Sequence, residues 1–121
     1  MSSAGLHERL GRSQRLRKRS SFLLVQQHGR RTAGRTLVVY AMLRRDGDPA
    51  NASRLGISVS KKVGNAVVRN RVKRWLRESY RRLDHAIATD FVVIAKPAAA
   101  PSTFKETFVQ LRNLMDRVSV K

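Results

Sequence analysis

The 121-residue sequence contains no cysteine, which excludes disulfides, thiolate metal sites and cysteine nucleophiles and favours a reducing compartment. No apolar run approaches the ~18 residues of a membrane-spanning helix, and the opening MSSAGLHERLGRS lacks the apolar block of a secretory signal. A cytoplasmic protein with no membrane partner is expected. Acids are scarce: 8 Asp and Glu stand against 26 Lys and Arg, a formal net charge of +18. His7, His28 and His85 are scattered, so no pair has metal-ligand or acid–base spacing. The GxxxxGK[ST] phosphate loop and the GxGxxG fingerprint are both missing. Ser58 and Lys61 fit the SxxK spacing of serine acylases, but the partner motifs of those enzymes are absent. Asp46 and Asp48 share a turn, and turn formation accounts for both. Asn51 opens a glycosylation sequon that a cytosolic chain never presents to the modifying machinery. No catalytic side chain and no metal-binding side chain is expected.

The charge that is present is localised. Residues 9 to 82 hold 21 Lys or Arg and three acids, Asp46, Asp48 and Glu78, and so carry the whole excess; the remainder of the chain is balanced. Such an excess repels itself and attracts a polyanion, either nucleic acid or an anionic membrane. The length suits one domain that folds without disulfides. Residues 1–14 show no periodicity and read as a disordered basic tail, 15–118 as the domain, and 119–121 as a short tail.

Arg15 to Arg19 is a basic lead-in, after which Ser20 or Ser21 can cap a short helix through Phe22 and Val25 that Gly29 closes. RTLVVYAMLR, residues 35–44, is apolar on both faces and reads as a strand near the middle of a sheet. DGDPANAS, Asp46 to Ser53, is a turn. Leu55, Ile57 and Val59 alternate with Gly56, Ser58 and Ser60, as in a strand with one buried and one polar face. FVVIA, Phe91 to Ala95, reads as another buried strand, and Lys96 to Pro101 as a loop. The last helix takes Ser102 or Thr103 as cap, with Thr103 and Glu106 at capping-box spacing; its stripe is Phe104, Phe108, Leu111, Met115 and Val118, with Leu114 beside it.

The most informative segment is Ser58 to Arg82, SVSKKVGNAVVRNRVKRWLRESYRR, with nine basic residues and one acid. A helix starting near Asn65 or Ala66 places Val68, Val72, Trp75, Leu76 and Leu83 on one stripe, and Asn70, Arg74, Arg77 and Arg81 opposite. Arg69 and Lys73 flank one side, Arg71 and Arg82 the other. Like-charge neighbours cost a few tenths of a kcal/mol each, which a partner must recover. A membrane would need the apolar stripe, which is required to cover the sheet, so nucleic acid on the cationic face is the better fit. Trp75 belongs to the core stripe in this reading. Phe22 and Tyr40 are the aromatics that can be spared to stack on bases of a single strand.

This run resembles the signature of the bacterial ribonuclease P protein subunit: a strand ending in Ser and paired lysines, a Gly-Asn turn, and a helix opening Arg-Asn-Arg. Lys61, Lys62, Gly64, Asn65, Arg69, Asn70, Arg71, Lys73, Arg74, Arg77 and Glu78 keep its spacing. The likeness reaches upstream through Arg15, Leu16, Phe22, Val25 and Gly29 to RTLVVY as the first strand, and covers roughly residues 15 to 118. The resemblance implies an α+β fold, a single-domain α-β sandwich of order αβββαβα with mostly one sheet packed by helices and a left-handed βαβ crossover through the basic helix, against the usual right-handed rule.

For function, it implies a monomer in a 1:1 complex with a large catalytic RNA. That RNA removes the 5′ leader of precursor tRNA using Mg²⁺ held mainly by RNA and substrate, so the endoribonuclease is the holoenzyme and not this chain alone. Lys61, Lys62, Asn65, Arg69, Asn70, Arg71, Lys73, Arg74 and Arg77 are then RNA-binding, and Phe22, Tyr40, Arg15 and Lys18 belong to a cleft for the leader. Many relatives carry aromatics where this chain has Gln26 and Leu37, which implies either weaker leader affinity or base preference, or leader binding that rests more on charge. A small basic ribosomal protein is the structural rival and a protein-only nuclease the enzymatic one.

Overall fold

The computed structural model describes residues 15–44, 53–84 and 88–119. The tail reading at 1–14, residues 120–121 of the tail read at 119–121, His7, His85, and most of the Asp46–Ser53 turn lie outside the described residues; Ser119 is the last residue of the final helix.

Three helices and four strands follow in the order α1 (Arg19–His28), β1 (Arg30–Ala33), β2 (Leu37–Leu43), β3 (Arg54–Ser58), α2 (Ala66–Arg82), β4 (Thr89–Ala95) and α3 (Phe104–Ser119), with a 3-10 turn at Pro97–Ala99 before α3. The αβββαβα order is as expected. The strands form one mixed sheet in the order β1-β2-β4-β3, with β1–β2 and β2–β4 antiparallel and β3–β4 parallel. A parallel neighbour requires a crossover, and α2 supplies it.

Alternation along the strands divides the side chains between two faces. Leu37, Val39, Ala41, Leu55, Val59, Phe91, Val93 and Ala95 face the main core, where they meet Val72, Leu76 and Tyr80 of α2 and Leu111, Leu114, Met115 and Val118 of α3. On the other face a smaller cluster joins Leu16, Val25 and Val92 to Phe22, Tyr40, Met42 and Ile94 beneath α1. Each fully buried side chain of this size contributes about 1.5–3 kcal/mol.

The sequence reading is corrected at four places. RTLVVY is the second strand: β1 is RRTA, a short edge strand whose charged side chains show no apolar pattern. α1 begins at Arg19, before both serines, with Lys18 at the N-cap and no side-chain cap; backbone N–H groups of Ser21 and Phe22 donate instead to the Lys18 carbonyl. Trp75 is only half-buried and stands outside the core, while Tyr80, on the inner side of the same helix, is fully buried. Phe104 and Phe108 are half-buried at the start of α3, stacked on one another at 6.3 Å and overlaid by Arg82 and Arg112. The capping box at α3 forms as the spacing predicts, Thr103 N–H donating to Glu106 Oε1 at 2.9 Å and Glu106 N–H to Thr103 Oγ1 at 3.1 Å.

Candidate nucleic-acid interface

The basic surface is built outward from the end of β3. Val59 and Val63 are buried, and between them the chain turns through a Val63 N–H to Ser60 carbonyl bond of 3.1 Å and a Lys62 N–H to Ser60 Oγ bond of 3.3 Å. Anchoring both valines in the core leaves Lys61 and Lys62 at the exposed crest. Gly64 then brings the chain into α2; a Cβ there would lie 2.9 Å from Val68 Cβ and Cγ1, so no larger residue fits without displacement. Asn65 caps the helix, its Oδ1 accepting from Val68 N–H at 3.0 Å. This satisfies one of the free donors at the helix start and contributes about 1 kcal/mol.

Along α2, Val72, Leu76 and Tyr80 have no exposure, and Asn70, Arg74 and Arg77 lie exposed on the outer side. Half-buried Lys73 and Arg69 flank them, and Arg69 Nε donates to the Gly64 carbonyl at 3.2 Å. Arg71 turns the other way, with Nη2 donating to the Ala100 carbonyl at 2.8 Å and the guanidinium 5.2 Å from the Trp75 ring centre. Its role in packing is thus distinct from that of the outward-facing cations. Glu78 is occupied by its neighbours: Arg81 donates to Oε1 and Arg82 Nη2 to Oε2 at 3.0 Å. Partial desolvation raises the Glu78 carboxyl, but the hydrogen bonds and charges of these two arginines outweigh it and hold it below the usual carboxylate range. The one acid of the segment therefore offers little opposition to an approaching phosphate.

A second feature lies on the opposite sheet face, where cross-strand register sets three rows: Val38–Ile94–Ser58, Tyr40–Val92–Gly56 and Met42–Asp90–Arg54. Beside α1, a groove of roughly 290 Å³ is lined by Phe22, Leu23 and Gln26, by Arg17 and Arg19, and by Ser58, Val92 and Ile94 below. One aromatic edge, an apolar floor and two arginines make a place where a base can lie with its phosphates neutralised. Phe22 lines this groove. Tyr40 is on the same face, half-buried in the small cluster, but does not line the groove. Neither do Arg15 and Lys18: Arg15 bridges to Leu55 at the edge of β3, and exposed Lys18 is the N-cap of α1. Arg17 and Arg19, of the same basic lead-in, line the groove. Leu37 is fully buried on the main-core face, so it has no part in this groove; Gln26 does.

Among the described residues no three or more His, Asp or Glu side chains converge as a metal site, and no helix is long and apolar enough to cross a membrane.

A family model described as Ribonuclease P matches residues 10–119. The chain is 39% identical over 112 residues to a ribonuclease P protein component of Clostridioides difficile, covering 90% of this chain and 95% of that one. In structure it is similar to the RNase P protein of Staphylococcus aureus, with a TM-score of 0.78, 35% identity and coverage of 88% and 96% of the two chains. The RNase P protein from Thermotoga maritima is similar with a TM-score of 0.75, 35% identity and coverage of 88% and 98%.

Proposed function

The chain belongs to the ribonuclease P protein family, and from that premise we propose that it docks on a catalytic RNA through α2 and holds the single-stranded 5′ leader of precursor tRNA in the groove at Phe22. The observation that carries the first half is the division of α2: Val72, Leu76 and Tyr80 have no exposure, while Asn70, Arg74 and Arg77 lie exposed beyond the lysines of the preceding turn. A helix fixed by its core side cannot turn its charges away. Neutralising on the order of six to ten phosphates makes RNA affinity fall about 10³- to 10⁵-fold between low and physiological salt.

The chain's part in the holoenzyme is binding. It screens repulsion between two large RNAs, grips the leader, raises affinity for precursor over mature tRNA and lowers the Mg²⁺ requirement. Glu78 and Asp90 are each held by two arginines, so these residues do not fit a Mg²⁺ site. We assign that ion to the RNA and the substrate, and the hydrolysis of the leader to the RNA. The complex is read as 1:1 and cytoplasmic.

The test is affinity of the assembled protein and RNA for tRNA with and without a leader. Tighter binding of the leader-bearing form that requires the protein supports the reading. Equal binding of both forms, or co-sedimentation of the chain with ribosomes instead, contradicts it.

A further inference from the structure

The layer of α2 and α3 carries a patch of its own, across the sheet from the groove at Phe22. On α2, Arg71, Trp75, Glu78 and Arg82 recur at helical spacing and form one row. Its members follow Asn70, Arg74, Arg77 and Arg81 by a single residue, which is about 100° around the helix. The two ends of the row hold the entry to α3. Arg71 Nη2 donates to the Ala100 carbonyl, and the Arg82 guanidinium lies 5.2 Å from the Phe104 ring centre. Phe108 stacks beside Phe104, and Arg112 lies 6.0 Å from its ring. Trp75, Phe104 and Phe108 are half-buried and belong to neither core cluster.

Charge sets this patch apart. Among the described residues Asp90 is 2% exposed, and the other four acids, Glu78, Asp84, Glu106 and Asp116, all lie on or just after α2 and on α3. A polyanion drawn to Lys61, Lys62 and Arg74 meets opposing charge here. The rings are also poor platforms for bases, since Phe104 and Phe108 stack on each other at an interplanar angle of 30° and guanidiniums lie over them. What stays accessible is ring edge and cationic N–H. The Arg82 side chain is 57% exposed even though it bonds Glu78, and Arg112 is exposed. Aromatics with arginines among them are the composition of protein–protein contacts. Ring edges take apolar or aromatic side chains, and guanidiniums take carboxylates. A second copy of the chain, at a net charge of +18, would bring cations to cations.

We infer that this face docks a protein partner through an acidic amphipathic segment, whose apolar side packs on Phe104, Phe108 and Trp75 and whose carboxylates meet Arg82 and Arg112. The inference is independent of the leader reading. It leaves the outer row of α2 and the groove at Phe22 free, so that partner and RNA bind together.

The experiment uses the full chain assembled with the RNA subunit. The probe is a labelled synthetic helix with Leu and Phe along one side and Glu beside them, and a scrambled peptide of the same composition controls for charge alone. The amphipathic peptide is expected to bind and to shift the emission of Trp75, the one tryptophan of the chain; the scrambled peptide does neither. F108A weakens binding by about tenfold or more, as loss of an aromatic anchor does. R112E, at an exposed side chain, weakens it by about two- to fivefold at low salt and less at high salt. Both variants keep assembly with the RNA and the preference for leader-bearing tRNA. Failure of the amphipathic peptide to bind, equal binding of the scrambled peptide, or binding that R112E and F108A do not weaken overturns the inference. Weaker assembly of R112E with the RNA subunit also overturns it, because the face would then be an RNA contact. So does self-association of the natural chain that R112E abolishes, which would make the occupant a second copy.

Discussion

The Phe22 ring stands over Gly56 with so little clearance that a Cβ on residue 56 would lie 2.6 Å from its Cζ. The contact joins α1 to β3 and fixes one wall of the groove that carries Arg17, Arg19 and Gln26. The aromatic that faces the groove is therefore also part of the packing between helix and sheet.

Gly56→Ala forces the ring aside and is expected to destabilise the fold by about 1–3 kcal/mol, as overpacking does. Urea denaturation of G56A, F22A and the double variant checks this. The two changes should be non-additive by at least about 0.5 kcal/mol, because truncating the ring makes room for the new methyl. Additive costs would mean that the ring yields freely.

Asp90→Asn removes the charge that holds Arg44, whose side chain is 5% exposed. Breaking a buried pair from one side costs about 3–5 kcal/mol, and the midpoint of denaturant unfolding should fall accordingly. A loss of the size seen for surface ion pairs, under about 1 kcal/mol, would show that Arg44 reaches water.

Tyr80 donates to or accepts from Ser53 Oγ at 2.5 Å and packs edge-on against Phe91 at 6.1 Å. Its hydroxyl is pushed up to about 12, chiefly by burial and further by the Asp90 carboxylate, against the Ser53 hydrogen bond and the Arg44 charge. A folded value above the unfolded one means that this contribution to stability is fully present below about pH 10 and is lost as pH rises towards 12. Two units correspond to about 2–3 kcal/mol. Stability measured from pH 9 to 12 should fall more steeply for the natural protein than for Y80F; parallel curves would contradict the assignment.

Arg74 and Arg71 separate binding from packing. Arg74→Ala should leave the melting temperature unchanged, weaken assembly with the catalytic RNA, and reduce the salt slope by about 0.7–0.9 for one phosphate contact. Arg71→Ala removes the bond to the Ala100 carbonyl and the stack on Trp75, and should lower thermal stability by about 1–2 kcal/mol. Thermal melts and filter binding over a salt series distinguish the two variants. The same loss of stability in both would erase the division.

Local patterns carried much of this in advance. The helical period of α2 and α3, the start of α2 near Asn65 and the Thr103–Glu106 capping box depend on residues within one or two turns of each other, and all appear in the structure. What could not be read depends on distant partners. Arg30 and Arg31 form a strand because β2 is there to pair with them, and an edge strand tolerates charge without an apolar face. Tyr80 and Asp90 look like surface residues until Ser53, Arg44 and Arg54 arrive to satisfy them. Trp75 falls at the margin of the helical stripe, where Arg71 covers it instead of the core.

The sequence singles out Phe22 as a spare aromatic, and Phe22 lines the groove with Arg17 and Arg19, while Arg15 is held at the edge of β3 by its bridge to Leu55. Leu37, where relatives carry an aromatic, lies away from the groove. Strand alternation puts residues 37, 39 and 41 on the main-core face and 40 and 42 beneath α1, so an aromatic at 37 would add to the core and not to the groove.

The central claim is that this chain assists a catalytic RNA through binding alone. Its most direct test is cleavage of a leader-bearing precursor tRNA by the RNA subunit at low Mg²⁺, with the chain added, with the chain omitted, and with the chain alone. The account predicts leader removal only when RNA and chain are present together, and none from the chain by itself. No gain over the RNA alone, or cleavage at the leader junction by the chain without RNA, would contradict it.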